Sequence, residues 1–249
     1  MNFLKFSSRN TKEILRDPLT IVFSIGFPLV LLVLLSAINS SIPKEAGAFG
    51  LFDIEVLAPG ITVFGLSFMS LFSSMLIAKD RTTGFMMRLF ISPMKSSDFI
   101  LGYTLPLLPI SLAQTAVCYI FSMILGLEFS LNLLLAVVVN IPAAVVFISL
   151  GLLFGSVLNE KAVGGVCGAL LTNLSAWFSD IWFDTALVGG WFEKIANILP
   201  FSHAVSAVRY AVSGDFSQIM SHLWIVMVYA VVLLALSVGI FYLKTRDNS

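Results

Sequence analysis

Lys79-Asp80-Arg81-Thr82-Thr83-Gly84-Phe85-Met86-Met87-Arg88-Leu89-Phe90-Ile91-Ser92-Pro93-Met94-Lys95-Ser96-Ser97-Asp98 is a polar interruption between two apolar runs. It holds the bases Lys79, Arg81, Arg88 and Lys95, the acids Asp80 and Asp98, a Gly and a Pro. Such a stretch cannot lie in hydrocarbon, so it reads as an aqueous loop joining two membrane spans. A plain tether has no need of Phe85, Met86, Met87, Leu89, Phe90 and Ile91 in one block. The pattern suggests a short amphipathic helix, capped by Asp80 and stopped by Pro93, that a cytoplasmic partner grips. Phe85, Met86, Leu89 and Phe90 form its apolar knob, and Arg81, Arg88 and Lys95 are placed to meet acidic groups around the groove that receives it.

The composition agrees with this reading. Of 249 residues, 58% are hydrophobic and 11% charged, where a soluble domain carries about 25% charge. Several apolar runs reach about 20 residues, enough to cross roughly 30 Å of hydrocarbon. The expected fold is all-α: a polytopic membrane protein forming one unit over residues 1–249, with no room for a soluble domain between spans. The formal net charge is zero, which gives no ground for a nucleic-acid partner. Cys118 and Cys167 both sit in apolar runs and read as small packing residues, not as a disulfide framework.

Working outward, span 2 precedes the loop at about 54–78, with Glu55 and Pro59 at its start, and span 3 follows at about 99–126, kinked by Pro106 and Pro109. The carbonyls that these prolines free need donors from neighbouring helices. Span 1 covers about 19–39, span 4 about 132–157, span 5 about 162–183 and span 6 about 220–243. The first apolar run follows a long leader and is closed by no small-x-small site, so it is expected to be a span and not a cleaved signal. In that leader, residues 2–17, Phe3, Leu4, Ser7, Thr11, Ile14 and Leu15 fall on one face, and Lys5, Arg9, Lys12 and Arg16 on the other. A basic amphipathic helix of this kind lies in the membrane interface, near anionic lipid. Between spans 5 and 6, two short helices at about 190–199 and 201–213 fit an outer re-entrant hairpin, with Trp182, Trp191 and Tyr210 at interfacial depth.

With the N-terminus inside, eleven Lys and Arg fall on the inner side and three on the outer. The positive-inside rule therefore puts both termini and the 79–98 loop in the cytoplasm. No Walker A loop is present, so any nucleotide energy comes from another chain. No Cys/His cluster has metal-ligand spacing, and His203 and His222, 19 apart, stand unsupported. No nucleophile elbow or kinase-like set appears, so no catalytic residue is expected. Asp180 and Asp184 read as outer-interface residues rather than a proton relay. Gly151-x-x-x-Gly155 and Gly164-x-x-x-Gly168 allow close helix approach, expected between spans 4 and 5 across the tight turn at 159–161. An aromatic and hydroxyl-bearing surface from span 2 (Phe64, Ser67, Phe68, Phe72) and span 5 (Asn173, Trp177) is a candidate path for an amphipathic substrate. No internal repeat is seen, which argues against inverted-repeat carriers.

Three local patterns then carry a resemblance. Asp80-Arg81-x-x-Gly84-(x3)-Arg88-(x4)-Pro93, running on to Leu101-Gly102, resembles the loop after span 2 in ABC type-2 transporter permeases, and its Arg88 resembles the drug-export, daunorubicin-resistance-like branch. Pro200-Phe201-Ser202-His203-Ala204-(x4)-Arg209 resembles the family's element before span 6, and Arg16-Asp17-Pro18 the close of its N-terminal interfacial helix. The chain departs from the pattern in having Asp80 where many members have Glu, Phe85 where they have Thr, and Met87 where they have Glu. The resemblance implies a permease of an ATP-driven exporter in a bacterial plasma membrane, carrying out a drug-like hydrophobic or amphipathic molecule. A lipid-linked glycan or a peptide is the alternative cargo, and an ion-coupled carrier without an ATPase the alternative class. The implied partners are a separate ATPase subunit, which binds the ATP and Mg, a second permease subunit and membrane lipid. The chain itself would bind no cofactor and be no enzyme. The 80–98 loop would couple, the leader with spans 2 and 5 would act as the lever, and Pro200 and Arg209 would belong to the outer re-entrant element.

Overall fold

The computed structural model describes residues 3–41, 50, 52–86 and 95–247. Arg88, Leu89, Phe90 and Pro93 of the expected coupling helix lie outside the described residues. Every regular element among the described residues is helical, as hydrocarbon demands of a chain that must satisfy its backbone groups internally. The leader is α1, Phe3–Arg16. The first span is α2, Pro18–Ser41. Asp17 caps it, its carboxylate accepting from the Leu19 amide (3.2 Å) and the Thr20 hydroxyl (2.8 Å), with Pro18 in the first turn. A π-helical stretch, Val22–Gly26, follows. It lies just before Pro28, whose missing N–H leaves the regular bonding ladder incomplete there.

The central helix is α3, Ile54–Thr82. In its most apolar window 89% of the residues are buried inside the chain, against 17–56% for the other spans, so the other helices are built around it. The third span is α4, Ser96–Ile124, which runs continuously through Pro106 and Pro109. The fourth is α5, Asn132–Val157, interrupted at Asn140 just before Pro142. The close approach expected of Gly151 and Gly155 is present, but the partner is α3 and not the fifth span. A Cβ on Gly151 would overlap the Ser73 hydroxyl and the Ser70 carbonyl, and one on Gly155 would lie 2.5 Å from the Ser74 carbonyl. The Ser73 hydroxyl donates to the Ile148 carbonyl (3.1 Å), and Ser237 donates to the Ser149 carbonyl (2.9 Å) from the opposite side.

The fifth expected span begins near its expected start but ends at Trp177, short of 183. This helix, α6 (160–177), consists of Glu160–Val163, a π-helical Gly164–Leu171 and Thr172–Trp177. Asp180 turns the chain with φ 59° and its carboxylate accepts from the Thr185 amide at 2.8 Å, which explains why the helix cannot continue. Among the described residues five helices are long and apolar enough to cross a membrane, and α6 is not one of them. The hairpin is present near its expected place, as α7, Gly190–Ile198, and α8, Pro200–Ser213. Gly214 ends α8 in the left-handed region at φ 81°. The last span belongs to α9, Phe216–Asp247.

Candidate coupling site at the leader–loop junction

At 100° per residue, Phe6, Asn10 and Glu13 of α1 fall on a strip between the two faces that hydropathy picks out, bordered by Ile14 from the apolar face. This strip is what packs: Phe6, Asn10 and Ile14 are buried, whereas Leu4 and Leu15 are exposed. The expected apolar face is thus split, because the seat of α1 is set by specific polar bonds and not by hydropathy alone. Phe6 inserts where Gly102 of α4 has no side chain, since a Cβ there would overlap its ring. Tyr103 (4.9 Å) and Phe99 (6.0 Å) meet the same ring edge-on. Asn10 donates to the Gly102 carbonyl at 3.0 Å. That carbonyl lies four residues before Pro106 and has lost its usual donor, so α1 supplies the expected replacement.

One carboxylate gathers the rest. Asp80 is 1% exposed and accepts from Arg9 through both terminal nitrogens (2.7 and 2.8 Å) and from the Tyr103 hydroxyl (2.8 Å). Burying a carboxylate is costly unless its oxygens are hydrogen-bonded and its charge is paired, and here both conditions are met. Arg9 also meets Glu13 at 2.7 Å, and Glu13 meets Lys79 at 2.7 Å. Burial alone would lower the Arg9 pKa. The hydrogen bond and charge of Asp80, with the charge of Glu13, outweigh it and hold the guanidinium above its ordinary value. Phe85 covers Arg9, its ring centroid 4.4 Å away. The leader, the inner end of α3 and α4 therefore converge on Asp80.

These positions revise several expected roles. Asp80 does not cap a coupling helix; it lies inside α3, which runs on to Thr82. Arg81 is exposed and donates through one terminal nitrogen to the carbonyls of Gly155 (2.9 Å) and Leu158 (3.0 Å), closing the C-terminal end of α5. It thus fastens α3 to α5 while its guanidinium stays at the surface. Gly84 sits at φ 66°, in the left-handed turn that leads away from α3. Phe85 is half-buried and Met86 buried, so these two do not form an exposed knob. Of the basic leader residues, only Arg9 turns into the junction, while Lys5, Lys12 and Arg16 are exposed.

The candidate path residues separate into two groups. Phe64, Ser67, Phe68 and Phe72 are buried. Phe64 and Phe68 pack with Phe27 of α2 (6.4 and 5.4 Å) and Phe64 with Trp182 (6.0 Å). Asn173 and Trp177 are exposed on α6, and the Asn173 amide is turned back to the Ala169 carbonyl. The first group is packed inside the chain and the second faces outward. In the hairpin, Pro200 opens α8. Arg209 donates to the carbonyls of Val56 (3.3 Å) and Asp180 (2.7 Å), tying α8 to the start of α3 and to the turn after α6. Burial pulls its pKa down, against the charges of Asp180 and Asp184.

Several engaged residues escaped the sequence reading. Phe6, Asn10 and Glu13 lay between the hydropathic faces, and Tyr103 looked like one more apolar residue of span 3. The only signal was joint: a leader Asn and the carbonyl four residues before Pro106, both needing a partner. His203 and His222, unsupported in the sequence, face each other with Nδ1 atoms 2.9 Å apart, and the other ring nitrogen of His203 lies 2.9 Å from the Asn197 carbonyl. Among the described residues no group of three or more His, Cys, Asp or Glu is placed to hold a metal ion.

Residues 2–212 match the family described as ABC-2 type transporter. The chain is 25% identical over 207 residues to ABC transporter G family member 20 of Dictyostelium discoideum, covering 79% of this chain and 27% of that protein. It is 28% identical over 212 residues to the transport permease named ycf38 in Porphyra purpurea, covering 81% of this chain and 70% of that one. It therefore spans about a quarter of the length of the first relative. The loop motif has physical reasons in this chain: Asp80 receives the leader, Arg81 closes α5, Gly84 makes the left-handed turn, and Gly102 makes room for Phe6. With the family match over most of its length, the chain belongs to the ABC-2 type transporter family.

Proposed function

We propose that this chain is the permease subunit of an ATP-driven exporter for hydrophobic or amphipathic small molecules, energised by a separate ATPase that docks on the loop between α3 and α4. The observation that carries this reading is the Asp80 junction. α3 ends at Thr82, two residues after Asp80, and Asp80 is bonded at once to α1 and α4. A push on that loop reaches three helices through one carboxylate, as a docking element for a motor requires. With Phe85 and Met86 engaged inward, docking falls to the residues from Met87 onward, with Leu89 and Phe90 as apolar contacts and Arg88 as a charged one. ATP and Mg belong to the ATPase. Both termini face the cytoplasm in this reading, and a second permease copy or homologue completes the assembly.

The test uses the full chain in inverted membrane vesicles with ethidium as the transported probe. Uptake is expected to need ATP and to survive collapse of the proton gradient. Leu89→Asp with Phe90→Asp is expected to abolish both uptake and co-purification of an ATPase, while the variant remains monodisperse. Uptake that persists without ATP and collapses with the proton gradient overturns the reading in favour of an ion-coupled carrier.

A further inference from the structure

Among the described residues none packs against the outward side of α1. Lys5, Lys12 and Arg16 are exposed there, and their spacings of 7 and 4 align them along one stripe. An open cleft of about 860 Å³ runs beside them, with Leu4 and Ser8 also on its wall. Two carboxylates also line it, and both are already engaged. Glu13 is held by Arg9 and Lys79, and Asp17 by the Leu19 amide and the Thr20 hydroxyl. Arg9 and Lys79 are engaged in the same set of contacts. Among the described residues no carboxylate lies within ion-pair distance of Lys5, Lys12 or Arg16. The cleft therefore keeps three cations without an ion-pair partner, beside one carboxylate, Asp17, that no cation pairs among the described residues.

What lies next to those charges selects the occupant. Leu4 is 63% and Leu15 58% exposed, along the edge of this stripe. Beyond Pro18 this apolar surface continues without a break in kind into Leu19, Val22 and Val30 of the first span, each more than half exposed. A surface of that composition on a spanning helix faces acyl chains. The stripe of cations thus borders the hydrocarbon-facing surface at the level where α1 joins the span, which is headgroup level. Lysine and arginine stems reach along such a border with their charges toward phosphate.

We propose that Lys5, Lys12 and Arg16 form a binding site for the headgroup of an anionic phospholipid, with Leu4 and Leu15 against its acyl chains. The binding does not depend on the export reading. Its consequence for export rests on that reading: a bound lipid fixes the outer side of α1 while Arg9 and Asn10 fix its inner side, so the anionic lipid content of the membrane sets how firmly the leader is seated.

The experiment is native mass spectrometry of the detergent-purified full chain with added phosphatidylglycerol or phosphatidylcholine. Wild type is expected to retain phosphatidylglycerol over phosphatidylcholine by about thirtyfold at low salt, from three cations offset by the charge of Asp17 at about 1 kcal/mol per charge, with the preference shrinking as salt rises. Lys5→Gln with Lys12→Gln and Arg16→Gln is expected to abolish the preference, and Lys161→Gln with Lys194→Gln to leave it intact. Both variants are compared for monodispersity and thermal unfolding in zwitterionic detergent. Absence of a headgroup preference in wild type, or its survival in the triple variant, overturns the proposal. Loss of ATPase co-purification in the triple variant with the lipid preference intact also overturns it, and assigns the face to a protein. Failure of the export reading shows separately, as wild type that brings down no ATPase yet still selects phosphatidylglycerol.

Discussion

Asp80→Asn removes one charge and leaves the shape of the junction almost unchanged. The carboxylate accepts three hydrogen bonds, at 2.7, 2.8 and 2.8 Å, two of them from Arg9. The asparagine keeps one oxygen and turns an NH₂ group toward a donor, so at least one charge-assisted bond is lost outright. Such a bond contributes about 1.5–3 kcal/mol. The Arg9 side chain is 35% exposed and keeps Glu13, so solvent and that partner recover part of the loss. The net cost is on the order of 2 kcal/mol, or a fall of about 4–8 °C in Tm for a chain of this size. Lys79→Gln is the comparison. It breaks an ion pair whose lysine is 55% exposed, and it is expected to cost less than about 1 kcal/mol. The assay is thermal unfolding in detergent across the cycle of Arg9→Gln, Asp80→Asn and the double variant. Arg9→Gln leaves the buried carboxylate with Tyr103 alone and is expected to cost at least as much as Asp80→Asn. The double variant is then less destabilised than the sum by about 2 kcal/mol. Additivity to within about 0.5 kcal/mol would refute the claim that this pair seats the leader.

Gly102→Ala forces Phe6 out of its seat and is expected to cost about 1–3 kcal/mol. Phe6→Leu in the same chain should recover part of that loss, and a Tm series measures it. Gly151→Ala meets the main chain of Ser70 as well as the Ser73 side chain, so adding Ser73→Ala should not rescue it; the readout is the yield of monodisperse protein. Arg209→Lys replaces two donors directed at the separate carbonyls of Val56 and Asp180 with one ammonium. It is expected to cost about 1–2 kcal/mol and to speed proteolysis around 178–190, while sparing the Asp80 junction, whose cycle should be unchanged.

Long apolar runs and turn residues were enough to read the helical class and most element boundaries. Hydrocarbon leaves the backbone few choices, so span positions follow from hydropathy. Failures came where side chains compete for a partner. The cap role for Asp80 followed local helix rules, yet Arg9, 71 residues away, claims the carboxylate. The small-residue motifs were read as facing the next helix in sequence, but Gly151 and Gly155 face α3, because small residues mark close approach without naming who approaches. α6 was expected to run to 183, and Asp180 cannot continue a helix at φ 59°. Asn10 was invisible for a further reason: its bond satisfies a deficit created by Pro106 in another helix, and no window of one segment contains both.

The glycine faces of α5 also say where this protein is able to bend. With Gly151 and Gly155 against the main chain of α3, the two helices have no gap in which to slide. Ser73 and Ser237 fasten α5 on two sides, Phe6 and Asn10 hold α1 to α4, and Asp80 joins that pair to α3. With α9, which carries Ser237, these five helices make one stiff plate. Among the described residues, π-helical winding lies outside it, at Val22–Gly26 in α2 and Gly164–Leu171 in α6. A force on the plate is expected to turn it as a whole, as a door turns, with those two wide-wound stretches as its hinges.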